Sequence, residues 1–282
     1  MIDSTNYPDH KAKIDRVERT IRDHKLLCLE ALNRPGEVVT AREDLHPWLK
    51  TVDVNDLPTS MEKLQVVSQY VDDLSQAGQV SNLLQWQRKI YDAQKTLGGA
   101  KDPKSLGGLF RLSQAIEREE GVEAAIPYQK DLVELADEAL GEEHRNAMTA
   151  KSNLAFGYYS LGRFKEAIKH FSELHDLYRR TGFKENALNA RMKIAQSQLF
   201  LGQEKQALDA LQQVVKQAES DPEIDPESRV PTSAKYDLFI AQLENGQIDQ
   251  TIATMNEEVE LKNMHDDPGQ HLRHFILSLI HI

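Results

Sequence analysis

The sequence predicts an all-α fold of stacked antiparallel helix hairpins. Three observations predict it. Apolar residues recur at i, i+3, i+4 and i+7 through most of the chain, with almost no β-branched alternation. The 10 prolines and 14 glycines of the 282 residues fall between those stretches. Five glycines, Gly78, Gly121, Gly162, Gly202 and Gly246, are separated by 43, 41, 40 and 44 residues, and a second breaker (Gly98, Gly141, Gly182, Pro222, Asp266) follows each by 20. A fixed period of this length is the signature of a repeat array. Each unit then reads as a helix of about 15 residues, a glycine turn, a helix of about 18 residues and a linker. Glycine suits the left-handed residue that ends a helix and reverses the chain.

From the N-terminus, residues 9–33 read as one amphipathic helix stopped by Arg34-Pro35-Gly36. Ile14, Val17, Ile21, Cys28 and Leu32 share a stripe on it. Cys28, the only cysteine, is expected as a buried structural thiol on that stripe. With one cysteine no internal disulfide forms, which fits a reducing compartment. A short helix is expected around Ala41–Lys50, then a turn-rich stretch ending in Leu57-Pro58. Thr59-x-x-Glu62 has the form of a capping box and opens the array. Residues 1–58 are therefore expected to be an N-terminal helical cap that covers the first repeat; an independent docking segment is the rival reading. The array of about five helix pairs is placed at 59–264.

The second helices explain why one pair needs a neighbour. Phe164, Ala167, Ile168, Phe171, Leu174 and Tyr178 lie on one face, and Ala207, Leu208, Leu211, Val214, Val215 and Ala218 do the same a unit later. A lone hairpin cannot bury such a face; stacked hairpins can. Ala155, Ala167, Ala195 and Ala207 are small enough for close helix crossings. At the other end, Asp266-Asp267-Pro268-Gly269 opens a further unit over 265–282 that stops before its turn glycine. Leu277–Ile282 resembles a translated sequencing adapter, so the natural sequence is expected to end its own run near Ile276 and to continue differently; a genuine apolar C-terminal helix that caps the last repeat is the rival reading.

The run Leu154-Ala155-x-x-Tyr158-x-x-x-Gly162-x-Phe164-x-x-Ala167-x-x-x-Phe171 resembles the tetratricopeptide repeat signature, and Ile194-Ala195, Gly202, Ala207 and Leu211 repeat it more loosely. The period near 42, and Leu140-Gly141-Glu142-Glu143-His144 as a linker, resemble the longer repeats of the kinesin-light-chain-like subfamily. The resemblance spans roughly 60–264 and is most specific over about 144–220. It implies a right-handed α-solenoid whose first helices line a concave groove.

Acids outnumber bases 45 to 34, a formal net charge of −11. That argues against nucleic-acid binding as the main activity, because such affinity rests on neutralising phosphates. No apolar run is long enough to span a membrane, and no secretory signal opens the chain; the expectation is a cytoplasmic protein. No nucleophile elbow, phosphate loop or zinc-protease motif is present. His271-x-x-His274 is a close histidine pair without a third ligand spaced to join it. No enzyme, cofactor or metal is expected.

Function then rests on surfaces. Counting back from each turn glycine, the resemblance places Arg111, Asn153, Phe156, Tyr159, Asn189, Lys193, Gln196 and Tyr236 toward the groove. The asparagine amides can serve any peptide backbone. Arg111 and Lys193 suit an acidic side chain or a terminal carboxylate, and the aromatics suit apolar anchors. Asn153 and Lys193 are expected to be exposed. Ser152 and Phe156 stand where the carboxylate clamp of chaperone-binding relatives has lysine and asparagine, so that clamp is incomplete. The expectation is a non-catalytic scaffold that binds a protein or peptide. The alternatives are a regulatory or sensor segment of a larger protein, or a groove-based small-molecule binder or enzyme.

Overall fold

The computed structural model describes residues 8–225, 228–247 and Thr251. Among these, eleven α-helices are found and no strand. They are α1 (Pro8–Ala31), α2 (Pro35–Leu45), α3 (Met61–Gln76), α4 (Leu83–Gly98), α5 (Pro103–Glu120), α6 (Val122–Leu140), α7 (Arg145–Ser160), α8 (Phe164–Arg180), α9 (Lys184–Phe200), α10 (Glu204–Ser220) and α11 (Arg229–Glu244). None of the described helices is long and apolar enough to cross a membrane. The chain forms two compact units, residues 1–150 and 151–282. The expectations for 265–282, including the His271/His274 pair, lie outside the described residues.

The glycine turns sit where the period places them. Gly78, Gly121, Gly162, Gly202 and Gly246 all have positive φ. At Gly162 the turn is a complete Schellman motif: its own N–H donates to the Tyr159 carbonyl at 3.0 Å and Arg163 N–H to that of Tyr158 at 2.9 Å. The same pair of bonds closes the turns at Gly78, Gly202 and Gly246. Gly121 departs from the pattern. It alone separates α5 from α6, and its N–H reaches the Ile116 carbonyl instead. After α4 the left-handed residue is Gly99 rather than Gly98, one place beyond the expected breaker.

In the first unit, α1 ends at Ala31, and Pro35 and Gly36 begin α2 instead of only stopping α1. The expected helix over 41–50 is two elements, because Pro47 breaks it: α2 ends at Leu45 and a 3₁₀ turn covers Pro47–Thr51. The cap of α3 is Ser60, whose hydroxyl accepts from Lys63 N–H at 3.4 Å, so the capping residue is one place after Thr59. Leu26 and Leu29 of α1 pack with Val38 and Ala41 of α2. Cys28 is exposed, against expectation, and Val17, Ile21 and Leu32 beside it are about 60% exposed. The stripe read as buried faces outward, because α2 packs on the Leu26/Leu29 face. A polar anchor joins α1, α2 and α3. Arg42 is buried and bonds Asp73 and Gln69 of α3 and Glu30 of α1. Such a charge is retained in a low-dielectric interior only when it is fully partnered.

In the second unit, α9, α10 and α11 share a core that includes Leu188, Leu208, Leu211, Val214 and Leu238. The small residues expected at helix crossings, Ala155, Ala167, Ala195 and Ala207, are fully buried. On α8, Ala167, Phe171, Leu174 and Leu177 face inward. Within each unit this is the antiparallel-hairpin architecture predicted from the period.

Candidate functional site

In the second unit the first helices α7, α9 and α11 present a connected polar and aromatic face. Tyr159 on α7 donates its hydroxyl to Gln196 Oε1 on α9 at 3.3 Å. Gln196 Nε2 donates to Asp237 Oδ2 on α11 at 2.6 Å. One glutamine therefore ties three successive first helices together through both ends of its amide. Lys193, one turn before Gln196, donates to the same Oε1 at 2.7 Å. Its ammonium also lies 5.0 Å from the Tyr159 ring centre and 5.8 Å from that of Phe156.

The helical spacing produces this arrangement. Asn189, Lys193, Gln196 and Phe200 stand at i, i+4, i+7 and i+11, one stripe of α9. Phe200 is 64% exposed and stacks on Phe164 at 4.5 Å. Tyr159 meets both rings edge-on, at 5.7 Å and 6.2 Å. Phe156 is 42% exposed and rests edge-on against buried Phe171 at 5.1 Å. An aromatic surface next to polar groups with fixed positions can take an apolar side chain at one end and a backbone amide at the other.

The electrostatics follow from partial burial. Burial holds the Asp237 carboxyl above its ordinary value, and the Gln196 bond and the Lys193 charge oppose that only in part. Burial likewise lowers Lys193, with Asp237 acting against it. Tyr159 is raised, first by burial and then by the Asp237 charge. Lys193 and Asp237 thus compensate each other within the face.

The eight sequence-predicted residues divide accordingly. Phe156, Tyr159, Lys193 and Gln196 are in mutual contact. Asn153 is half-buried and Asn189 exposed, and neither amide has a hydrogen-bond partner among the described residues. Tyr236 is 40% exposed on α11, next to Asp237. Arg111 belongs to the first unit, where its Nε donates to Asp72 Oδ2 at 2.6 Å. The expectation that Lys193 and Asn153 stand exposed is corrected, since both are half-buried and Lys193 is held in the network. Counting back from Gly246 also reaches Asp237, and Phe164 completes the face although it was outside the predicted set. The signal for Asp237 was its place 41 residues after Gln196, one repeat period on.

The tetratricopeptide repeat family model matches residues 146–220. No curated protein sequence matches the chain. Among solved structures, the kinesin light chain nearly identical TPR-like repeats of Podosopora anserina are 19% identical, with 72% of this chain and 98% of that chain covered and a TM-score of 0.60. BtubC (BKLC) from P. vanneervenii is 13% identical, covering 83% and 95%, with a TM-score of 0.62. The Rap conjugation gene regulator of plasmid pLS20, solved in complex with the Phr* peptide, is 11% identical, covering 91% and 78%, with a TM-score of 0.50. Residues 146–220 of this chain match the tetratricopeptide repeat model, and its fold is the one seen in kinesin-light-chain-like repeat structures.

Proposed function

We propose that the α7–α9–α11 face binds an extended segment of a protein partner and that the chain acts as a non-catalytic scaffold. One observation carries this reading. Two amides without internal partners, Asn153 and Asn189, lie on the helices that present the exposed rings of Phe156 and Phe200. The amides serve the backbone of the guest and the rings its apolar side chains. The Rap conjugation regulator, which shares the fold, was solved with a peptide, and this adds support. Phe156 and Phe200 supply apolar contact, whereas Gln196, Tyr159 and Asp237 set the spacing of the helices.

The test is selection of a random-peptide display library on the whole chain, followed by fluorescence anisotropy with a selected peptide. Asn153→Ala with Asn189→Ala is expected to weaken binding by about tenfold or more, two lost hydrogen bonds at roughly 1 kcal/mol each. Circular dichroism melts should remain near the parent. Selected peptides whose affinity is unchanged in the double variant would remove the face from consideration.

A further inference from the structure

The first unit contains a cavity of about 690 Å³ that the reading above does not use. Its walls include Asp72 and Ser75 of α3, Phe110, Arg111 and Arg118 of α5, and Leu140 of α6. The volume lies in the range that accepts small ligands. Arg111 and Arg118 are seven residues apart, two turns along one face of α5. Their situations differ. Asp72 takes the Arg111 Nε–H on one oxygen and the amide of buried Gln87, at 3.1 Å, on the other, so Arg111 is neutralised and held in place. Arg118 has the Ser75 hydroxyl at 3.4 Å as its hydrogen-bond partner and no carboxylate within ion-pair distance among the described residues. The carboxylate and guanidinium groups lining the cavity are Asp72, Arg111 and Arg118, one acid against two bases in a chain of net charge −11. Phe110, Leu106 and Leu140 supply an apolar wall.

We infer that this cavity is a second binding site, for a small monoanion with an apolar body, that is, an amphipathic carboxylate whose head pairs with Arg118 and whose tail lies along Phe110. One unpaired guanidinium selects one negative charge and presents the fork geometry a carboxylate matches. The lining is drawn from α3, α4, α5, α6 and α7, and a volume of about 690 Å³ suits a free acid rather than a long chain segment.

Isothermal titration of the whole chain with decanoate, decanol and decylammonium tests it, with an acetylated, amidated Leu-Glu-Phe-Glu peptide as a fourth arm. Saturable binding of decanoate at one site is expected, at least tenfold tighter than decanol, with no binding of decylammonium. Arg118→Gln removes an exposed side chain, so the fold should persist, and it should bring decanoate to the level of decanol. Arg179→Gln, which removes one exposed cation from the second unit, should leave decanoate binding as it was. Equal affinity for decanoate and decanol, no loss in Arg118→Gln, or binding of the acidic peptide alone would each overturn the inference. None of these outcomes bears on the second unit's peptide face, whose test uses other residues.

Discussion

Phe171 offers the sharpest test of how the repeats are held together. It is 2% exposed, fills the signature position of α8, and receives the edge of the Phe156 ring at 5.1 Å and 84°. Phe171→Ala removes a fully buried ring, which costs about 3–5 kcal/mol through lost transfer energy and the cavity left behind. Against a total stability of about 5–15 kcal/mol this is a large share. Leu211 stands 40 residues on, at the matching place in the next hairpin, and is also fully buried. Leu211→Ala should cost about 2–5 kcal/mol and serves as an internal standard for the repeat. The contact with Phe156 can be isolated by adding Phe156→Ala: a double-mutant cycle should give a coupling of about 0.5–1.5 kcal/mol, the usual worth of an edge-to-face pair. Urea unfolding followed by circular dichroism measures all four variants. A loss below about 1 kcal/mol for Phe171→Ala would refute the packing described for α8, since no exposed phenylalanine costs more. A coupling near zero would show that Phe156 is not seated on that ring.

Three more predictions concern the turn, the thiol and one phenol. Gly162→Ala should cost about 1–2 kcal/mol in a thermal melt, because φ is +69° while the added carbon meets nothing nearer than Phe164 at 3.9 Å; Gly162→Asn should cost less. Cys28 should react with a thiol reagent in the native protein as fast as in urea, and protection in the native state would contradict its outward placement. Tyr70 is pushed up to about 12 by burial and by its 2.7 Å bond to Glu43. The folded state therefore holds that proton more tightly than the unfolded one, whose ordinary value is 10.0. The contribution is present below that value and is lost as pH rises toward about 12; Glu43→Gln should bring the phenolate absorbance transition to lower pH.

The fold was legible because its punctuation is chemical. A left-handed residue after a helix requires glycine almost wherever it occurs, so the five turn glycines marked the hairpins without help from packing. Helix faces were legible as periodicity, but periodicity does not say which of two apolar stripes finds a neighbour. On α1 both the Val17/Ile21/Cys28/Leu32 stripe and the Leu26/Leu29 stripe fit a buried face, and only the position of α2 decides between them. The candidate face was readable in outline for the same reason as the turns: counting back from Gly162 and Gly202 reaches Tyr159, Lys193 and Gln196. What the count could not supply was depth. A lysine whose ammonium lies over two rings is half-buried and is balanced by an aspartate on the next helix, and that burial does not follow from position along a helix.

The turns have a consequence for how such a chain can change over generations. At Gly162 and Gly202 the same two backbone bonds close the turn, and the chain between them is a single repeat. A crossover in the gene that joined one of these glycines to the other would delete or duplicate whole hairpins, and each junction would still fall on a residue already suited to the bend. Growth and shrinkage by complete modules is therefore the least disruptive insertion or deletion open to this architecture, while a gain or loss of a few residues inside a helix would turn its buried stripe away from its neighbours.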